Sequence, residues 1–272
     1  MRRSPAAALL AATLVLAVPP PAHSWPAAIV EALGRDARRL VPRSLAQLMA
    51  DREKEIFEAA RVMPPEMVQA LVTDLNAGQL RPTTVAVLES QATEALDLFH
   101  QRRVTEGVVR LGALLRVPAD LSDPVLTGGP QGYPAGVARE YYAFVADSLD
   151  KIPVVLDDPS ALKLQRRDLP RYWNGVLGRS RVQADVIRFE LFRSGRVVDH
   201  RTIDYRSPVF GVASLSYSRA VTAIAATWLA VWREARGDLT RIPSPLPVRP
   251  SDAPPIPGAG LAPQTVITRE QR

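Results

Sequence analysis

The chain of 272 residues contains no cysteine and only three histidines, His23, His100 and His200. Without thiols there is no disulfide framework and no cysteine for lipid attachment, so in an oxidising compartment the fold must be held by its core. With so few imidazoles, a multi-zinc site lacks its usual nitrogen and sulfur ligands. Lysine is equally scarce, 3 residues against 31 arginines, a skew that reads as coding bias rather than selection for guanidinium chemistry. No glycine-rich phosphate loop, Gly-x-Ser-x-Gly elbow or His-Glu-x-x-His pair is present, which removes the commonest nucleotide, esterase and metalloprotease signatures. Beyond residue 24 no apolar run free of charge approaches the roughly 20 residues of a bilayer span.

The first 24 residues read as a secretory leader: Arg2 and Arg3 form the basic start, Ala6 to Val18 the apolar stretch, and Ala22-His-Ser24 the small-residue cleavage pattern. Cleavage there makes Trp25 the mature N-terminus and predicts an exported protein, periplasmic or secreted, that is not a lipoprotein and keeps no transmembrane segment. Removing Arg2 and Arg3 takes the formal charge from +6 to +4, which does not by itself call for a nucleic-acid partner. About 248 residues can bury roughly 70 to 75% of their unfolded surface, enough for one sizeable core.

From Trp25 to about Leu115 apolar residues recur at helical spacing, as in Ile29, Leu33, Ala37 and Leu40. Pro42 and Pro64-Pro65-Glu66 sit where helices begin, and Asn76-Ala-Gly78 supplies a stop. Helical patterns follow over Thr83 to Arg102, Thr105 to Arg116 and Val137 to Leu149, with a loop at Gly128 to Pro134. Val186 to Phe192 and Val197 to Tyr205, rich in β-branched and aromatic residues around Arg193-Ser-Gly-Arg196, predict a β-hairpin over about 186–205. Ser214 to Arg236 predicts a final helix. The expected organisation is mainly α: a single multi-helix domain over 25–240 with one hairpin insertion, then a proline-rich, disordered tail over 241–272.

The segment Arg110-Leu-Gly-Ala-Leu-Leu-Arg116-Val-Pro-Ala-Asp120-Leu-Ser-Asp-Pro124-Val-Leu126 carries the most specific pattern. Arg116 and Asp120 have the i, i+4 spacing that puts two side chains on one helix face, and a proline-led turn follows. The order Leu-Gly-x-Leu-x-Arg116-x-x-x-Asp120-Leu-x-x-Pro124-x-Leu126 resembles the zinc-dependent phospholipase C and single-strand-specific nuclease superfamily, whose members carry His-x-x-x-Asp and then Pro-x-His. The resemblance implies a phospholipase C/P1 nuclease-like helical fold, a phosphodiesterase ancestry, and a zinc site that also uses the N-terminal tryptophan. Carried over position by position, Trp25 and Asp120 match as vestigial metal positions, Arg116 replaces the first His and Leu126 the second. Where relatives place a His-x-x-x-Glu pair, this chain has Arg139 and Ala143, or Ala138 and Tyr142 in the neighbouring register. Pro118 is a further departure, tolerable only if the helix bends or ends there. Arg116 and Asp120 read equally as an ordinary ion pair at a helix end, and Trp25 as an apolar staple on the first helix.

Two other regions bear on function. His200 lies beside Asp199, but in a strand adjacent side chains face opposite ways, so His200 reads as a solvated hairpin residue. His100 reads as a helix-end residue, and Asp157-Asp158 and Asp120 with Asp123 as caps and loop acids. Between Lys163 and Arg206 ten arginines and one lysine face five acids, and with Phe189, Phe192 and Tyr205 this Arg-rich region could meet anionic lipid or nucleic acid. The leading expectation is an exported, non-catalytic relative of the phospholipase C/nuclease superfamily, with no cofactor where the family uses zinc. The alternatives are a residual metal-dependent phosphodiesterase holding one ion through Trp25, Asp120 and Asp123, or a binding module that uses the basic 163–206 face.

Overall fold

The computed structural model describes residues 24–62, 65–128 and 132–240. The expected leader, apart from Ser24, and the expected tail over 241–272 lie outside the described residues. The architecture is mainly α, as the periodicity predicts. In chain order the helices are α1 (Ala27–Arg38), α2 (Arg43–Ala50), α3 (Glu53–Arg61), α4 (Pro65–Ala77), α5 (Pro82–His100), α6 (Val104–Ala113), α7 (Arg116–Leu121), α8 (Val137–Asp147), α9 (Leu169–Leu191) and α10 (Pro208–Glu234).

Helix α10 is the axis of the bundle. From Ser216 to Trp232 every residue is buried, so this helix is covered on all sides rather than along one stripe. It packs against α1, α5, α7 and α9. Its start is fixed by Ser207, whose hydroxyl accepts the Phe210 N–H at 3.3 Å, with Pro208 in the first turn. Among the described residues α10 is the one helix long and apolar enough to cross a bilayer by length and composition, but it lies inside the bundle and carries the buried Arg219 at mid-length. Two polar cross-ties hold it: Tyr217 donates to Asp36 Oδ2 of α1 at 2.9 Å, and Trp173 Nε1 of α9 donates to Thr227 Oγ1 at 3.1 Å.

The anticipated stop after α4 is present: Gly78 takes φ +77°, and its N–H reaches the Asp74 carbonyl at 2.8 Å. Pro118 is accommodated by a break. Helix α6 ends at Ala113, Leu114 and Leu115 make tight bonds to the carbonyls three residues back, and α7 restarts at Arg116. Pro118 therefore falls in the first turn of a new helix, where an N–H has no intrahelical partner to lose.

The hairpin needs correcting. Val186 to Leu191 is the last part of α9, not a strand, and the paired segments are only β1 (Phe192–Arg193) and β2 (Arg196–Val197), in register Phe192 to Val197 and Arg193 to Arg196. Burial at Ser180, Ala184, Ile187 and Leu191 has helical spacing, so packing against the core overrides the local β preference of valine, isoleucine and phenylalanine. The turn itself is as expected, with Ser194 and Gly195 both at positive φ, 52° and 76°. Beyond β2 the chain forms a 3-10 turn, His200–Thr202, where the expected second strand would run on to Tyr205.

Candidate functional site

Helix α7 brings Arg116 and Asp120 onto one face, and the guanidinium Nε donates to Asp120 Oδ2 at 2.9 Å. A terminal nitrogen of the same guanidinium bonds Ser24 Oγ. Trp25, 1% exposed, donates its indole N–H to the Ala119 carbonyl at 3.0 Å and lies tilted against Tyr141 and Tyr142 of α8, with ring centroids 5.9 and 5.7 Å away. The start of the domain, Arg116 and Asp120 therefore meet in one buried centre although about ninety residues separate them in the chain.

Asp123 belongs to the same centre. Its Oδ1 accepts the backbone N–H groups of Val125 and Leu126 at 2.9 and 3.3 Å, and its Oδ2 accepts the Tyr142 hydroxyl at 2.8 Å. Burial pushes the Asp123 carboxyl up to about 7 against the pull of these hydrogen bonds, with the nearby Asp120 charge adding to the rise. Burial also raises Asp120, opposed by Arg116. The pair is monodentate: Asp120 Oδ1 is buried and has no hydrogen-bond partner. Leu126 packs its side chain against the smaller apolar cluster that includes Leu71, Leu121 and Trp173.

The remaining candidates lie elsewhere. His100 ends α5 and is exposed, as expected. His200 departs from expectation. It is 21% exposed, its Nδ1 lies 2.8 Å from Glu140 Oε2 and 3.5 Å from Asp199 Oδ1, and its Nε2 lies 3.4 Å from Asp147 Oδ2. Because the chain bends into a 3-10 turn at His200 and does not continue as a strand, Asp199 at its start and His200 are not turned to opposite faces, and they lie 3.5 Å apart. Asp158 caps a 3-10 turn as anticipated, but Asp157 is no simple loop acid: its Oδ2 lies 3.4 Å from both Arg179 and the buried Arg219. Arg219 also donates to Gln183 at 3.0 Å and Ser180 at 3.3 Å, and burial lowers its pKa.

Over 163–206 many guanidinium groups are already engaged. Arg166 bonds Glu234, Arg188 bonds Asp185, Arg193 bonds Glu190 and Arg201 bonds Asp199. The aromatic residues do not form one face: Phe189 is exposed, Phe192 packs on the core, and Tyr205 stacks on Phe144 under the Lys151 ammonium. Compared with known protein families, curated proteins and solved structures, the chain has no match.

Proposed function

We propose that this is an exported, non-catalytic protein of phospholipase C/P1 nuclease-like ancestry, in which an arginine stands where the family places a metal-binding imidazole. The observation that carries the reading is the meeting of Trp25, Arg116 and Asp120 in one buried centre, with the Arg116 guanidinium on the Asp120 carboxylate at 2.9 Å. A fixed positive charge there balances Asp120 without an ion, and a cation seated beside that carboxylate would have to oppose it at short range. The engagement of the 163–206 arginines by carboxylates favours this reading over a binding module for anionic polymers.

One observation favours the residual phosphodiesterase instead: the unpartnered, buried Asp120 Oδ1 beside Asp123 offers an oxygen-rich corner suited to a hard cation. A single experiment separates the two. A His200→Ala chain, which leaves this centre intact, is dialysed against Zn2+ and Mg2+ and assayed with phosphatidylcholine and single-stranded DNA. The proposed reading expects no retained ion and no diester cleavage. A tightly held ion that Asp120→Asn releases, together with hydrolysis of either diester, would overturn it.

A further inference from the structure

Glu140 and Asp147 stand seven residues apart on α8, two helical turns, and so share a face. The 3-10 turn at His200 packs on that face. Tyr142, roughly 200° further round the same helix, serves Asp123, so the two sets of residues occupy different sides of α8. The cluster around His200 has no part in the centre built on Trp25 and Asp120.

We propose that Glu140, Asp199 and His200 form a binding site for a divalent first-row transition ion, with zinc the best fit. Tetrahedral zinc holds nitrogen and oxygen ligands at about 2.0 to 2.2 Å, so the ligand atoms of such a site lie roughly 3.3 to 3.5 Å from one another. Here one oxygen each of Glu140 and Asp199 and one ring nitrogen of His200 all lie within 4.8 Å of one another. The two separations measured from His200 Nδ1, 2.8 Å to Glu140 and 3.5 Å to Asp199, straddle the tetrahedral edge. The two separations from His200 need change by only about half an ångström, while the carboxylate oxygens of Glu140 and Asp199 lie within 4.8 Å and must close to about 3.5 Å; three protein ligands leave a fourth position for water. One imidazole among the donors selects zinc and its neighbours over magnesium or calcium, which prefer oxygen alone.

The second layer of the cluster is an independent observation. A metal-bound histidine nearly always turns its other ring nitrogen to a carboxylate or carbonyl, and His200 Nε2 already faces Asp147 Oδ2 at 3.4 Å. Ligating carboxylates are themselves held, and Arg139 grips Glu140 Oε1 at 2.9 to 3.0 Å, which leaves Oε2 turned to the imidazole. As the ion arrives, any proton on Nδ1 passes to solvent. The proposed ligand oxygens have other partners: the Arg201 guanidinium bonds both Asp199 oxygens at 3.0 and 3.2 Å in a solvent-exposed pair, and the backbone N–H groups of Arg201 and His200 donate to Asp199 Oδ1 at 3.0 Å and Glu140 Oε2 at 3.2 Å. Glu140 Oε2 keeps a second lone pair for an ion, and Asp199 Oδ1 has one when the exposed guanidinium gives way.

The test is calorimetric titration of the full chain with zinc chloride, with magnesium chloride as the comparison. One saturable zinc site per chain is expected, undisturbed by millimolar magnesium. His200→Ala and Glu140→Gln should weaken it at least tenfold, Asp147→Asn about tenfold, and Arg201→Ala should tighten it by freeing Asp199. Should His200→Ala or Glu140→Gln fail to fold, Arg201→Ala and Asp199→Asn change only exposed or half-exposed side chains and must move affinity in opposite directions. Absence of a saturable site in the wild-type chain overturns the proposal, as does affinity that none of these substitutions alters. Zinc lost on Asp120→Asn but kept in His200→Ala also overturns it, and points instead to the Trp25 centre.

Discussion

The centre at Arg116 makes a quantitative demand on stability. Asp120 has a side chain 3% exposed, whereas that of Arg116 is 20% exposed, so the two partners are not equivalent. Arg116→Leu keeps much of the apolar stem but strands a buried carboxylate, which by the behaviour of broken buried pairs costs about 3 kcal/mol. Escape by protonation limits that loss. It costs about 1.4 kcal/mol for each pH unit between the unfolded carboxyl's pKa near 3.9 and the assay pH, or about 4 kcal/mol at pH 7 and about 1.5 at pH 5. The Arg116→Leu penalty should therefore shrink by half or more between pH 7 and pH 5. Asp120→Leu should be much milder, below about 1 kcal/mol, because Arg116 can turn to water and because the charge that helps to raise the Asp123 carboxyl is gone. The double variant should lie near Asp120→Leu, giving a coupling energy on the order of 3 kcal/mol at pH 7. Urea denaturation of the four chains at both pH values measures every term. Additive losses below 1 kcal/mol, or an Arg116→Leu penalty unchanged between pH 7 and pH 5, refute the account of a buried, compensating guanidinium.

Two further outcomes follow from the same geometry. The folded carboxyl of Asp123 sits at about 7 while the unfolded one ionises near 4, so its contribution to stability is fully present below pH 4 and is lost as pH rises through 7, by about 4 kcal/mol in all. The stability of Asp123→Asn relative to wild type should accordingly climb across that window in urea titrations, and a difference flat with pH would contradict it. At the α3–α6 crossing, a Cβ on Gly112 would lie 2.7 Å from Ile56 Cγ1 and Cγ2, so Gly112→Ala should cost about 1 to 2 kcal/mol despite its better helix propensity. If only helix propensity mattered, Gly112→Ala would stabilise; if the contact is the cause, the loss should be smaller when Gly112→Ala is made in an Ile56→Ala background.

Parts of the fold were legible because the signals are local. Pro42 and Pro65 mark the starts of their helices, Gly78 marks a stop, and periodic apolar residues in between locate the buried faces, whereas the last helix starts at Pro208, six residues before the expected Ser214. The Arg116–Asp120 contact was legible for the same reason, since i, i+4 spacing within one helix nearly guarantees proximity. The end of α9 was not, because Val186, Ile187 and Phe189 have strand preferences that only tertiary packing overturns. His200 depends on the same segment: a strand would turn it away from Asp199, whereas the 3-10 turn leaves it facing Glu140, Asp147 and Asp199. Tyr142 with Asp123 and Asp157 with Arg219 are 19 and 62 residues apart along the chain, and no local pattern announces either pairing.

What sets the Arg116 centre apart from an ordinary structural ion pair is the way it is satisfied. An arginine placed to stabilise a buried carboxylate does best with two parallel N–H donors, one to each oxygen. Here Nε donates to Asp120 Oδ2, a terminal nitrogen goes to Ser24, and the buried Oδ1 is left without a partner. Buried polar atoms are almost always paired, and an exception calls for a cause. On the proposed reading the cause is ancestry: a carboxylate positioned for an ion has kept its place, and the guanidinium reaches it from the neighbouring turn without matching its geometry. Cleavage after Ser24 would remove that residue's hydroxyl from Arg116 and free the terminal nitrogen for Oδ1. The Arg116–Asp120 coupling energy should then be larger in a chain that begins at Trp25 than in one that retains Ser24, and equal couplings would leave the orphaned oxygen without this explanation.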